Sequence, residues 1–170
     1  MKSKLEFIGE RMIKIIEDKV AIEIWNYIFE KYKFNPSTKI EELPFVFDVK
    51  VMCYKLNSIW NEKQELIVND FFKKISNNEI YALDWQHDCF EYNPHNYNEM
   101  KKQWFDQSRD CYVYFPSYYP NGDYFFFVSK DFRYGLLGHP WRKEIYVFGD
   151  TLIEQFKQNE ELLNIIQNDL

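Results

Sequence analysis

Residues 119–141 read YPNGDYFFFVSKDFRYGLLGHPW, and the reading of this stretch decides the fold. Its centre, residues 124–128 (YFFFV), is apolar at every position. A strand that faces water on one side alternates apolar and polar residues. An unbroken apolar run instead marks a strand covered on both faces. Phe125 and Phe127 are expected on one face, with Phe126 and Val128 on the other. On the N-terminal side, PNGD carries turn chemistry, with Pro120 ahead of Gly122, and Asp123 is expected to close that turn. On the other side, Gly135 and Gly138 permit positive φ, so YGLLGHPW reads as a bent, rigid loop that carries His139 and Trp141.

Outward from this stretch the hydrophobic period changes repeatedly. Leu5, Ile8, Met12, Ile15 and Ile16 recur at helical spacing, so residues 1–17 read as an N-terminal helical extension of a single 170-residue domain. A second helix is expected over residues 20–34. Residues 45–56 (FVFDVKVMCYKL) alternate and read as the first strand, and residues 60–76 return to helical spacing. EIYALDWQ and DCFEYNP form a hairpin around residues 86–88, followed by strands in CYVYFP, DYFFFVS and KEIYVFG. Thr151 with Glu154 reads as a capping box opening a terminal helix through Ile165. Strands joined by short turns and flanked by helices give an α+β class: an antiparallel sheet of about five strands with helices packed on it at both chain ends.

Composition narrows the function classes. A net charge of -6 argues against nucleic-acid binding, which needs clustered Lys and Arg, and suits solubility or a basic partner. Aromatics make up 20% of the chain, which suits an aromatic core, a contact surface, or both. Cys53, Cys89 and Cys111 form no CxxC pair. Buried reduced thiols and a cytoplasmic location are therefore expected. The N-terminus lacks the apolar core of a secretory signal, and no run is long enough to span a membrane. No Walker loop, GxGxxG or GxSxG occurs, so neither a nucleotide cofactor nor a serine nucleophile is indicated. No metal-ligand spacing is recognisable, and no stoichiometric transition metal is expected.

Polar residues concentrate in residues 82–92, ALDWQHDCFEY. On a continuing strand Asp84, Gln86 and Asp88 share a face, beside Trp85 and His87. Asp84 or Asp88 capping a turn, with His87 bonded across the hairpin, is the structural alternative. These segments carry a resemblance. ALDWQHDCFEYNP, PNGDYFFFVSKDFRYGLLGHPW and EIYVFGDTLI resemble the bacterial family catalogued as domain of unknown function 2716, over about residues 20–156. IWNYIFEKYKFNPS is similar to that family's opening helix. The resemblance marks Asp84, Trp85, Gln86, His87, Gly122, Asp123, His139, Pro140 and Trp141 as family positions and implies no mechanism. A looser likeness, carried by the GDY strand and the closing helix, is to SMI1/KNR4-type immunity proteins. It implies a protein that binds a protein partner.

Two functions follow. One is a non-enzymatic, immunity-like interaction domain, a monomer or weak dimer without a cofactor, with Asp84, Trp85, Gln86, His87, Asp123, His139 and Trp141 as binding residues. The other is a small hydrolase or ligand-binding protein whose site joins Asp84, His87, Asp123 and His139. Convergence of those four side chains in one pocket discriminates between them.

Overall fold

The computed structural model describes residues 12–170. In chain order its elements are β1 (Ile13–Ile15), α1 (Asp18–Tyr32), β2 (Val51–Leu56), α2 (Glu62–Ile75), β3 (Ile80–Asp84) and β4 (Cys89–Tyr92). A short 3-10 helix (Pro94–Glu99) precedes β5 (Gln103–Asp106), β6 (Cys111–Tyr114), β7 (Phe125–Ser129), β8 (Gly135–His139) and β9 (Glu144–Phe148). The chain then forms α3 (Asp150–Lys157), α4 (Glu160–Leu163) and β10 (Ile165–Asn168). The class is α+β.

The main sheet has eight strands rather than about five, in the order β1-β4-β3-β7-β8-β9-β2-β10, and every pairing in it is antiparallel. A separate hairpin pairs β5 with β6. Strand β7 lies in the middle and all five of its residues are buried. Phe125 and Phe127 join the cluster built with α2, α3 and α4, through Val68, Phe72, Ile153 and Phe156. Phe126 and Val128 join the opposite cluster, built with Ile24, Trp25 and Ile28 of α1 and with Phe34 and Phe45. The all-apolar run is thus a strand covered on both faces, as its composition requires.

Local chemistry sets the helices. Asn61 and Gln64 form a reciprocal capping box at the start of α2, and Val68, Phe71 and Phe72 supply its buried face. Helix α1 ends where Lys33 adopts a left-handed conformation, φ 48°. Tyr32 O then accepts from Val46 N at 2.7 Å. That bond holds residues 45–50 against the end of α1, so the expected strand over residues 45–56 begins only at Val51. Phe45 keeps its apolar role by packing on Tyr124, Phe126 and Tyr146.

Several expectations are corrected. Residues 13–15, expected in a helix, pair with β4, and the rest of that expected helix, residues 1–11, lies outside the described residues. YGLLGHPW is mostly strand β8, not a bent loop, and neither Gly135 nor Gly138 has positive φ. Their small size serves packing instead. A Cβ at Gly135 would stand 2.6 Å from Val128 Cγ1, and one at Gly138 would stand 2.7 Å from Pro120 Cβ. Thr151 makes no capping box, because α3 starts from Gly149 at φ 90° without a side-chain cap. The terminal helix does not run to Ile165. Asn164 turns left-handed at φ 51°, and the chain re-enters the sheet as β10.

Candidate acidic cleft

Strand β3 ends at Asp84, and the chain turns before β4 begins at Cys89. Asp84 makes the turn itself: its Oδ1 accepts from Gln86 N at 3.2 Å. His87, at the tip, brings Nδ1 within 3.1 Å of both carboxylate oxygens of Asp84. The neighbouring strand β7 is entered through the turn at Gly122, whose φ of 94° suits glycine. Asp123 does not close that turn. Its Oδ1 accepts from Tyr124 N at 2.7 Å, and Oδ2 points across to His87 Nδ1 at 3.9 Å. Both aspartates are buried at 6% exposure, whereas the His87 side chain is 68% exposed.

The three donor atoms, one from each residue, all lie within 4.8 Å of one another. Asp123 Oδ2 is buried and has no hydrogen-bond partner. Burial pushes the Asp123 carboxyl up to about 6, against the opposing pull of the Tyr124 amide, and the Asp84 carboxylate pushes the same way. Ionising Asp123 beside the Asp84 carboxylate is therefore disfavoured.

Asp84 and His87 line a cleft of about 450 Å³ with Gln86, Asp88, Cys111, Tyr112 and Tyr114, and Asp123 adjoins it through His87, 3.9 Å from its Oδ2. The β5–β6 hairpin makes the outer wall. Val113 points inward to the core while Tyr112 and Tyr114 remain exposed, as strand alternation requires. Arg109 fastens this wall. Its guanidinium grips Asp88 at 2.7 and 3.1 Å and reaches Asp106 at 2.8 Å. Asp88 is therefore occupied by Arg109, which leaves Asp84 as the other acid lining the cleft, with Asp123 adjoining it.

The remaining residues singled out in the sequence go elsewhere. By alternation with Leu137, His139 projects to the face of α1, while Asp84, in phase with Ile80 and Ala82, projects to the other. The sheet therefore divides the four-residue constellation of the hydrolase alternative. His139 is fully buried. Its Nδ1 accepts from Arg142 N at 3.3 Å, which assigns the proton to Nε2, 3.3 Å from Tyr124 Oη. Burial, with Arg142 nearby, pushes its pKa down to about 4. Trp141 packs on the rings of Tyr124 and His139. Trp85 turns into a cage of Trp25, Phe29 and Phe34. Of the seven, Asp84, Gln86 and His87 line the cleft, and Asp123 adjoins it beside His87. Cys111, Tyr112 and Tyr114 were not anticipated, although the outward phase of CYVY was the available signal.

Among the described residues no helix is long and apolar enough to cross a membrane. The family described as protein of unknown function (DUF2716) matches residues 15–153. An uncharacterized protein of Bacillus subtilis (strain 168), YxiI, is 32% identical over 153 residues, covering 82% of this chain and 89% of its own length. No solved structure matches. The chain belongs to the DUF2716 family.

Proposed function

We propose that this DUF2716 protein is a non-enzymatic binding protein whose acidic cleft receives a positively charged group. One observation carries the reading: Asp123 Oδ2 is buried without a partner and aimed at the point where Asp84 and His87 meet. An unsatisfied buried acceptor costs about 1–3 kcal/mol, and a ligand that donates to it recovers that cost. Tyr112 and Tyr114 at the rim offer ring faces that attract cations, and the net charge of -6 favours their approach. The three free cysteines suit a reducing cytoplasm, and we take the protein to act there as a monomer or weak dimer. The test is a calorimetric titration with methylguanidinium and with butylammonium, in the parent and in Asp123→Asn. Saturable binding in the parent, lost in the variant, is expected. Equal binding by both proteins would overturn the assignment to this cleft.

A second reading is favoured by the outward face of the β5–β6 hairpin. Phe105, Tyr112 and Tyr114 are exposed side by side, with 5.2 Å between the Phe105 and Tyr112 rings. Such a surface suits the immunity-like role of binding a protein partner. A defined partner that binds the parent but not Phe105→Ser/Tyr112→Ser supports it, and one indifferent to both substitutions refutes it.

A further inference from the structure

We infer that Asp84, His87 and Asp123 form a three-ligand site for a divalent transition-metal ion such as zinc or manganese. The inference rests on the cation-binding reading of the cleft and names the class of cation.

The donor set is one imidazole nitrogen and two carboxylate oxygens. Carboxylates alone suit magnesium or calcium; adding an imidazole shifts the preference toward zinc, iron or manganese. Bonds to such an ion are about 2.0–2.2 Å, so two ligand atoms on one ion stand no more than about 4.2 Å apart. His87 Nδ1 already lies 3.1 Å from Asp84 and 3.9 Å from Asp123 Oδ2. The donor atoms are all within 4.8 Å of one another, so a pair at that limit must draw in by about 0.6 Å to sit on opposite sides of an ion and by about 1.4 Å to reach the tetrahedral spacing of about 3.4 Å. The His87 distances already fit, so the adjustment falls to the two aspartate side chains.

The carboxylates are also held as ligands are held. Each has its Oδ1 fixed by a backbone N–H, from Gln86 for Asp84 and from Tyr124 for Asp123. Asp123 thereby leaves Oδ2 toward the imidazole at 3.9 Å, and both oxygens of Asp84 lie 3.1 Å from it. Outer hydrogen bonds of this kind orient ligating groups at metal sites. The independent sign of an available ligand atom is Asp123 Oδ2, buried in a residue only 6% exposed and without a donor while both carboxyls are ionised, the competing occupant being a proton shared with the Asp84 carboxyl. Its charged neighbours are Asp84, which repels a second negative charge, and the single imidazole of His87. Arg109 is committed to Asp88 and Asp106. Asp84 and His87 line the cleft, so the remaining coordination positions open toward it.

The experiment titrates chelator-treated full-length protein with zinc chloride and with manganese chloride at neutral pH, by calorimetry. The same protein is titrated with methylguanidinium and butylammonium. The expected result is one ion per chain, with affinity at least about tenfold weaker in His87→Ala and in Asp123→Asn. His87→Ala is the safer variant, because that side chain is solvent-exposed and its loss leaves the core intact. Circular dichroism confirms that both variants are folded. Binding of the organic cations, abolished in Asp123→Asn, with no binding of either metal would overturn the metal assignment while the cation-binding cleft stands. No binding of any of the four would overturn both. Metal binding unchanged in both variants would place the ion elsewhere and also overturn the inference.

Discussion

Phe126→Ala removes a fully buried ring from the layer between the sheet and α1. The ring centroid lies 5.3 Å from that of Trp25, 5.1 Å from Phe34 and 5.7 Å from Phe45. Two contributions add. Returning the side chain to water forfeits about 1.5–3 kcal/mol. The surrounding rings are rigid and come from three different segments, so they cannot collapse fully into the space. A remaining cavity of about 100 Å³, at about 24 cal/mol per Å³, costs about 2.4 kcal/mol more. The expected loss is about 4–5 kcal/mol, the upper part of the range for such truncations. Urea unfolding measures it: with a slope of about 2 kcal/mol per molar, the midpoint falls by about 2 M. Val46→Ala, at a position 62% exposed on the same covering segment, serves as the control and should change stability by less than about 0.5 kcal/mol. A Phe126→Ala protein with the parent's midpoint and slope would refute the doubly covered β7.

His139→Gln should flatten the dependence of stability on pH between about 6.5 and about 4. The unfolded chain takes up a proton near the ordinary histidine value, and the folded one only near 4. The stability of the neutral ring is therefore full above 6.5 and is lost as pH falls toward 4. Denaturant midpoints across that range check it, and parallel profiles for the two proteins would contradict it. Gly135→Ala should cost about 1–3 kcal/mol, because its new methyl meets Val128 and Phe148 within 2.8 Å; thermal unfolding reads the loss, and an unchanged midpoint would show that the strands can part. Under native conditions at pH 8 a thiol reagent should modify Cys111 alone, since burial pushes Cys53 up to about 12 and Cys89 up to about 11. Mass spectrometry of the labelled protein decides this, and early modification of Cys89 would count against the packing around β4.

The parts legible in the sequence were those where composition has one physical reading. Five consecutive apolar residues at 124–128 admit a central strand, and the helical period of residues 62–75 admits an amphipathic helix. Glycine misled because it has two uses: Gly135 and Gly138 were taken for bends, but they let neighbouring side chains approach a flat strand. Strands β1 and β10 escaped because three or four residues carry too little periodicity to compete with the helical pattern beside them. At the site, Asp84 and His87 were visible as neighbours in one turn. Asp123 is a candidate by residue type, but its convergence with them depends on β3 pairing with β7, and pairing partners are not written in local spacing. His139 was grouped with them by chemistry alone. The parity of β8 sends it to the other face.

The pairing of β10 with β2 has a consequence for the protein as a material. Residues 165–168 lie along Cys53 to Leu56 and cap one margin of the eight-stranded sheet. They are held by that ladder, by Ile165 buried in the core and by Asn168 reaching Glu144. Peeling them away would bare the amides and carbonyls of β2, ready to zip onto the same margin of another molecule. A proteolytic nick after Asn164, or a bulky fusion that drags on Leu170, would thus favour edge-to-edge association through β2, at the margin of the sheet opposite β1 and β4.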